Sequence, residues 1–138
     1  MTLNHDLIRA RFQDIQQSLD RLEAIRDLSL EAFLGDQDLR DVAHHRLLIA
    51  IEAALQICYH VCARRLRRVP EEYAGCFALL GEAGLLAPAL SQNLQQMARF
   101  RNVLVHVYWQ VDESQVYAIL QSSLDDLRAF VKAVGALL

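Results

Sequence analysis

The amino-acid sequence predicts an all-α fold, with four main helices in an up-down bundle and a shorter fifth helix. Three observations lead to this prediction. Apolar residues recur at steps near 3.6 along most of the chain, no hairpin-type turn joins two alternating segments, and no repeat or low-complexity tract is present. With 138 residues, the chain is long enough for one domain with a substantial core, which we expect to span residues 1–138.

Two long helical patterns occupy the first half of the chain. Residues 3–26 carry an apolar stripe on one face, which predicts an amphipathic helix. Residues 27–37 contain Gly35 and two aspartates, which predicts a connection with a short turn of helix. Residues 38–67 are apolar on most of the helical circumference. We therefore expect this segment to be the central helix.

A short helix is predicted after the central one. Pro70, followed by two glutamates, suits the first turn of a helix, where the missing N–H costs nothing and acidic groups favour the helix dipole. Gly81 and Gly84 are expected to end it. Pro88 then opens another helix. Asp112, with Gln115 three residues later, resembles a capping box and predicts the start of one last long helix that reaches Leu138.

The stretch RFRNVLVHVYWQVD, residues 99–112, departs from the surrounding pattern. Its β-branched and aromatic residues favour a strand, but an isolated strand would have no partner. We therefore interpret it as the irregular end of the helix that Pro88 opens. β-Branched residues weaken helix propensity, so the backbone is expected to leave α geometry near His106.

Arg101 lies on the apolar stripe of that helix, between Met97 and Leu104. An arginine facing a core needs a partner. Glu52, an acid within the apolar second helix, is expected to pair with an inward arginine such as Arg101 or Arg46. A structural and a catalytic role both remain open for this glutamate.

Three further polar residues follow Arg101 closely. Tyr108 shares a helical face with Arg101, whereas His106 lies about 140° away, so the helix must bend or end for all three to converge. Asn102 and His106 are four residues apart, which allows a hydrogen bond that would orient the imidazole. On spacing alone, this set is either a structural cluster or a site.

The residues RNVLVHVY at 101–108 resemble the motif of the HEPN superfamily, specifically that of the HepT-like ribonuclease toxins: Arg, four residues, His, one residue, Tyr. The similarity covers most of the chain, in the family's order and spacing. It includes RRVPEEY at 67–73, FALLGEAG at 77–84, MARFRN at 97–102 and YWQVD at 108–112.

This resemblance implies an all-helical homodimer in which two motifs face each other across a cleft and cut RNA without a metal or cofactor. Arg101 and His106 would be catalytic and Asn102 supporting. The family partner is an MntA-type nucleotidyltransferase antitoxin, in a type II-like pair, which would silence the toxin by adding AMP to Tyr108. The alternative is a non-catalytic helical module that acts through this partner or a bound nucleotide.

A single basic run stands out in a chain whose formal net charge is −3. It consists of Arg64, Arg65, Arg67 and Arg68. These arginines either favour the carboxyl end of the second helix as solvated charges or bind RNA phosphates. Because the chain is mildly acidic overall, any contact with nucleic acid would depend on such a local patch.

The cysteines and histidines predict no metal site. Cys58, Cys62 and Cys76 are odd in number, without a CxxC pair, which favours buried thiols in a reducing compartment over a disulfide framework. Cys58 and Cys62 alone would be half of a metal site, and the histidines show no zinc-like spacing. With no signal-peptide pattern and no uninterrupted apolar run of membrane-spanning length, we expect a cytoplasmic protein without membrane contact.

Overall fold

The computed structural model describes residues 2–138, and within that range it contains helices and no strand. The seven α-helices are α1 (His5–Arg26), α2 (Leu30–Leu34), α3 (Gln37–Val61), α4 (Tyr73–Glu82), α5 (Pro88–His106), α6 (Glu113–Ser122) and α7 (Leu124–Gly135). A π-helical turn (Cys62–Leu66) continues α3, and a 3-10 turn (Tyr108–Gln110) follows α5. The predicted all-α class is confirmed.

The central helix of the bundle is α3, which contacts each of the other six helices. The longest packed pair is α1 with α3, and the two run antiparallel. The Asn4 backbone N–H, before α1, donates to His60 Nε2 near the end of α3 at 2.9 Å, and Arg11 Nη1 donates to Gln56 Oε1 at 3.0 Å. Burial, and after it Arg64, lowers the pKa of His60, which favours the neutral ring that accepts this bond.

By length and composition alone, the helix over Gln37–Leu66 is apolar enough to cross a membrane, with a mean hydropathy of 1.4 in its most apolar window. In the fold, 56% of that window is buried. Its buried residues include Leu47, Ile51 and Leu55. A helix surrounded by other helices is apolar on most of its circumference, so burial in the bundle accounts for this composition.

The predicted start of α4 at Pro70 is wrong. The helix begins at Tyr73, after Glu72 in an extended conformation (φ −132°, ψ 159°). The chain instead wraps over the end of α3, where Arg67 is left-handed (φ 55°) and the Arg68 N–H donates to the Cys62 carbonyl at 3.1 Å. Pro70 is buried in this connection.

Gly81 does not end α4, as the sequence had suggested, but lies inside it. A Cβ there would lie 2.5 Å from Ser91 Oγ of α5, so glycine permits the close approach of the two helices. Ser91 Oγ donates to the Phe77 carbonyl at 2.9 Å across the same contact. Gly84, with φ +77°, takes the left-handed conformation just beyond the helix, as expected of a terminating glycine.

The single last helix expected from the sequence is broken into α6 and α7. Asp112 is the predicted N-cap, since its Oδ1 accepts from the Ser114 N–H at 2.9 Å. The break falls at Ser123 (φ −109°, ψ −10°), and Ser122 Oγ donates to the Ala118 carbonyl at 3.0 Å. Serine hydroxyls compete with the helical backbone in this way. The two segments then face different neighbours, α6 facing α2 and α7 facing α5.

Candidate active site

The end of α5 departs from helical geometry as the sequence predicts. The helix ends at His106, and Val107 (φ −135°, ψ 43°) leaves the α conformation while its N–H still donates to the Val103 carbonyl at 3.0 Å. The 3-10 turn over Tyr108–Gln110 follows directly. His106 is therefore exposed at a helix terminus.

Arg101 is held by side chains from two neighbouring helices. Its Nε donates to Glu52 Oε1 of α3 in an ion pair, and its guanidinium carbon lies 4.6 Å from the centroid of the Tyr73 ring of α4. The Arg101 side chain is only 12% exposed. The expected pairing of Glu52 with an inward arginine is confirmed, and the partner is Arg101. A guanidinium buried to this extent requires an oppositely charged partner.

Asn102 supports Arg101 rather than His106. Asn102 Oδ1 accepts a hydrogen bond from Arg101 Nη1 at 3.2 Å. The direct Asn102–His106 bond considered from the sequence is not formed in residues 2–138, because the amide oxygen turns toward the stronger, charged donor. Asn102 thus bonds to the guanidinium and lines the same cavity as His106.

An open cavity of about 410 Å³ lies beside this arrangement. It is lined by Tyr59, Glu71, Glu72, Tyr73, Asn102 and His106. Arg101 does not line the cavity itself, but it contacts two residues that do, Asn102 and Tyr73. The cavity has the size of a small-ligand site and combines an imidazole with aromatic faces. Two carboxylates at its edge add negative charge.

Tyr108 does not join this cavity. It is 67% exposed and packs edge-on against Trp109, with ring centroids 5.4 Å apart. Tyr108 is therefore not among the residues that line the cavity with His106 and Asn102. The 3-10 turn carries Tyr108 past the helix end and out of the helical register it would share with Arg101.

The sequence had assigned no role to two tyrosines of this site, Tyr59 and Tyr73. Their rings meet edge to face with centroids 6.1 Å apart. Burial, then the neighbouring Tyr73 and Cys62, raises the pKa of the Tyr59 hydroxyl, which keeps it protonated at neutral pH. Tyr59 follows Glu52 by seven residues on α3, so helical spacing was a signal for it. The position of Tyr73 depends on how α4 packs.

The family model for HepT-like ribonucleases matches residues 15–134 of this chain. That match includes α3, α4, α5 and the whole of the motif. The chain belongs to the HepT-like ribonuclease family. The resemblance seen in the motif of residues 101–108 is thus confirmed.

Two HepT proteins and one solved structure illustrate the similarity. The chain is 26% identical over 132 residues to the mRNA nuclease HepT of Shewanella oneidensis, covering 96% of this chain and 98% of that protein. It is 24% identical to the tRNA nuclease HepT of Aphanizomenon flos-aquae, covering 96% and 90%. Among solved structures, the tri-AMPylated HEPN toxin of Shewanella oneidensis in complex with MNT antitoxin matches with a TM-score of 0.87 and 26% identity, covering 95% of this chain and 98% of that one.

The basic run of this HepT-like chain is divided by the fold. Arg64 and Arg65 lie in the exposed π-helical turn, and Arg67 follows it in the left-handed conformation. Arg68 instead lines a second open cavity, of about 470 Å³, together with Arg99 of α5. Glu71 and Glu72 line both cavities. The second cavity therefore adjoins the candidate active site, and Arg99 is a basic residue that the sequence had not singled out.

The cysteines differ from the sequence prediction. Cys58 of α3 and Cys76 of α4 form a disulfide, and Cys62 remains a buried free thiol. The spacing of Cys58 and Cys62 gave no sign of a third member, because packing of α4 against α3 brings Cys76 to them.

His44 also has a structural partner, since its Nε2 lies 2.8 Å from Glu113 Oε1 at the start of α6.

Proposed function

We propose that this chain is an endoribonuclease toxin, a single HepT-like domain that acts in the cytoplasm with Arg101 and His106 as its catalytic residues and Asn102 as support. The observation that carries the proposal is the geometry around Arg101. Glu52, Tyr73 and Asn102 hold the guanidinium next to a cavity that His106 lines. Such fixed placement of a charge-stabilising donor beside an acid–base group is what phosphodiester cleavage requires.

The reaction that suits these residues is internal attack by the ribose 2′-hydroxyl on the adjacent phosphorus. A bond forms between the 2′-oxygen and phosphorus, the bond to the 5′-oxygen breaks, and a 2′,3′-cyclic phosphate remains. His106 takes the proton of the 2′-hydroxyl, since an imidazole exchanges protons near neutral pH. Glu52 and Asn102 use only part of the Arg101 donor set, so its remaining N–H groups stabilise the charge on the phosphate.

A second copy of the chain would complete the site. One protomer supplies one imidazole, but the reaction also needs a proton donor for the leaving 5′-oxygen. Two-fold symmetry would place the same histidine of a second copy opposite His106. Large apolar side chains are exposed at the end of α5 and just beyond it, namely Val105 and Trp109. Exposed aromatic residues are typical of interface cores, which supports a homodimer formed through the end of α5.

We expect the purified protein to be a dimer at micromolar concentration, with an interface that includes Trp109. Multi-angle light scattering should give about twice the 15.7 kDa chain mass. Trp109→Ala removes a large exposed ring and should shift the equilibrium toward the monomer. The matched control is Leu138→Ala, which changes an exposed apolar residue at the far end of the chain. A wild-type monomer at micromolar concentration would contradict the dimer.

The cleavage is proposed to need no metal and no cofactor. Within residues 2–138, the group of side chains placed to share an ion is Cys58, Cys62 and Cys76, and none of the three lines the cavity of His106. Proton transfer by imidazoles and charge stabilisation by arginine supply the same chemistry that an ion would.

RNA cleavage should therefore persist in EDTA at an unchanged rate, and the products should carry 2′,3′-cyclic phosphate ends. Electrophoresis of an end-labelled RNA measures the rate, and mass spectrometry of the fragments identifies the ends. A Mg²⁺-dependent nuclease assayed in parallel serves as the control for chelation. Recovery of activity only on addition of Mg²⁺, or linear phosphate ends at the earliest times, would exclude the proposed mechanism.

The arginines near the site are proposed to bind the RNA backbone. Arg68 and Arg99 line the cavity next to the candidate active site, which supports a path for the strand along this surface. Arg64, Arg65 and Arg67 precede Arg68 on the exposed turn and extend the same basic run. These residues would offset the carboxylates of Glu71 and Glu72 at the cavity edge.

An MntA-type nucleotidyltransferase is proposed as the antitoxin, with Tyr108 as the residue that it AMPylates. The Shewanella oneidensis HEPN toxin, which matches this fold, is AMPylated and bound to an MNT antitoxin. Tyr108 of this chain is two-thirds exposed, so an enzyme can reach its hydroxyl. Its position two residues after His106 would place the added phosphate and adenosine beside the site.

A second candidate function is a non-catalytic HEPN module that acts through the nucleotidyltransferase or a bound nucleotide. The observation that favours it is the pair of carboxylates, Glu71 and Glu72, which share the cavity with His106 and would repel a phosphate. Cleavage of RNA by the pure protein decides between the two functions.

A further inference from the structure

Three fully buried cysteines gather where α3, its π-helical turn and α4 meet. Cys58 and Cys76 form the disulfide, with their Cα atoms 6.2 Å apart, within the usual range for such a bond. The Sγ of the free thiol Cys62 lies 3.8 Å from the Sγ of Cys76. A structural disulfide uses two cysteines. Cys62, the third cysteine, lies close enough for its thiol to exchange with the disulfide.

Neutral sulfur chemistry suits this location better than a metal ion does. Burial raises the pKa of the Cys62 thiol, although Arg68 opposes the effect. A metal site would need several thiolates in a core where all three side chains have no solvent exposure. Buried charge is costly, whereas a disulfide with one neutral thiol carries none.

The cysteines are linked to Arg101 through two aromatic rings. Cys76 lies one turn after Tyr73 on α4, and Cys58 is next to Tyr59 on α3. The two rings touch, and Tyr73 also lies under the Arg101 guanidinium. The start of α4 has no side-chain cap and follows a non-helical connection. The disulfide therefore fixes the first turns of α4 where few other bonds do.

We propose that Cys58, Cys62 and Cys76 form a thiol–disulfide exchange site that sets how firmly α4 holds Tyr73 against Arg101. The oxidant is a low-molecular-weight disulfide such as glutathione disulfide. When the first turns of α4 open to solvent, the Cys76 thiol ionises, attacks the glutathione disulfide and releases one glutathione thiolate. The Cys58 thiolate then attacks the Cys76 sulfur and releases the second, and the protons from the two cysteines end on the two glutathiones. The consequence for catalysis rests on the proposed ribonuclease function.

Cys62 provides an internal exchange step. In the same open state the Cys62 thiol ionises and attacks the Cys76 sulfur, so that a Cys62–Cys76 bond forms while the Cys58–Cys76 bond breaks and the proton of Cys62 passes to Cys58. Cys76 is then common to both disulfides, and α4 stays tied to α3 or to the turn that continues it. This step predicts different results for replacement of each cysteine.

The site is tested by counting thiols in the full-length protein after treatment with glutathione disulfide or with dithiothreitol. Alkylation in denaturant followed by mass spectrometry should find one free thiol after oxidation and three after reduction. Cys62→Ser should keep the Cys58–Cys76 bond, Cys58→Ser should form Cys62–Cys76, and Cys76→Ser should form neither. Three free thiols after oxidation, or a stoichiometric bound zinc or copper ion, would overturn the proposal.

Restraint of α4 by the disulfide is tested by amide hydrogen exchange. Exchange over residues 73–82 should be at least about tenfold slower in the oxidised than in the reduced protein, because the bond limits local opening. The first half of α1 serves as the internal reference and should not change. Equal rates at α4 in both states would refute the proposal. Neither measurement depends on cleavage of RNA.

RNA cleavage then separates this proposal from the ribonuclease proposal. In an active protein, reduction should lower the cleavage rate at least about threefold, and Cys76→Ser should have the lower rate in either condition. An unchanged rate would disprove the link to Arg101. A protein that cleaves no RNA in either state would refute the ribonuclease function, while thiol counting and hydrogen exchange would still decide the cysteine site.

Discussion

Replacement of His106 by alanine is expected to lower RNA cleavage by at least about 10²-fold, the usual effect of losing an acid–base group. The reason is that the exposed imidazole at the end of α5 lines the cavity and is the proposed proton-transfer group. Single-turnover cleavage of a labelled RNA with excess protein measures the rate. Because His106 is solvent-exposed and packs into no core, the variant should keep its helical circular dichroism and its melting temperature.

Arg101→Ala should cause a loss of similar size, since it removes the donor that is proposed to stabilise charge on the phosphate. Here some loss of stability is also expected, because Glu52 loses its partner, although that carboxylate is exposed enough to be hydrated. Arg101→Lys keeps the charge but not the fork of donors, and it should recover stability more than activity.

Matched controls for these two variants are His5→Ala and Arg9→Ala, which remove the same residue types from exposed positions on α1. Both should cleave RNA at the wild-type rate. A His106→Ala or Arg101→Ala protein that is folded and fully active would exclude the assigned catalytic roles. A variant that loses its helical spectrum would instead identify a structural role for that residue.

Tyr108→Phe is expected to abolish AMPylation. Incubation of the wild-type protein with its cognate nucleotidyltransferase, ATP and Mg²⁺ should add mass in steps of one AMP and stop RNA cleavage. The phosphodiester would place negative charge and bulk two residues from His106, where RNA should bind. Intact-mass spectrometry and the cleavage assay, on the same samples, measure both effects. The Tyr108→Phe protein should remain unlabelled and active.

Tyr73→Phe is the matched control for labelling. Tyr73 is the other tyrosine that is exposed near the site, and phenylalanine retains the ring beneath Arg101. This variant should accept AMP as the wild type does. AMP found on another residue of Tyr108→Phe would disprove the assignment of the acceptor. A labelled wild-type protein with undiminished cleavage would disprove silencing by occupation of the site.

The helices were predictable wherever a local signal dominated. The period of the apolar residues determined α1 and α3, Pro88 marked the start of α5, and Asp112 marked the start of α6. The predictions failed where a neighbouring element changed the local preference. Pro70 suits a first turn, but the backbone at Arg68 returns to bond with the end of α3. The helix after Asp112 breaks at Ser123, where Ser122 Oγ donates to the Ala118 carbonyl and the two halves differ in some of their neighbours.

The site was predictable in part. An arginine on an apolar stripe needs an acid, and Glu52 was the acid within reach. The face that Arg101 and Tyr108 would share in a straight helix is not kept, because the helix ends at His106, as predicted, and a 3-10 turn follows. The roles of Tyr73 and Arg99 depend on how α4 lies against α5, which no spacing along the chain reveals.

By itself, the sequence determined the helical class, the motif of residues 101–108 and the need for a partner at Arg101, because these depend on periodicity and on the cost of burying a charge. Only the tertiary structure decided which side chains surround that arginine, that Tyr108 lies outside the cavity, and that Cys76 meets Cys58 and Cys62. These contacts join residues distant in the chain. Their positions follow from packing of α4 between α3 and α5, which the local pattern of any one segment does not specify.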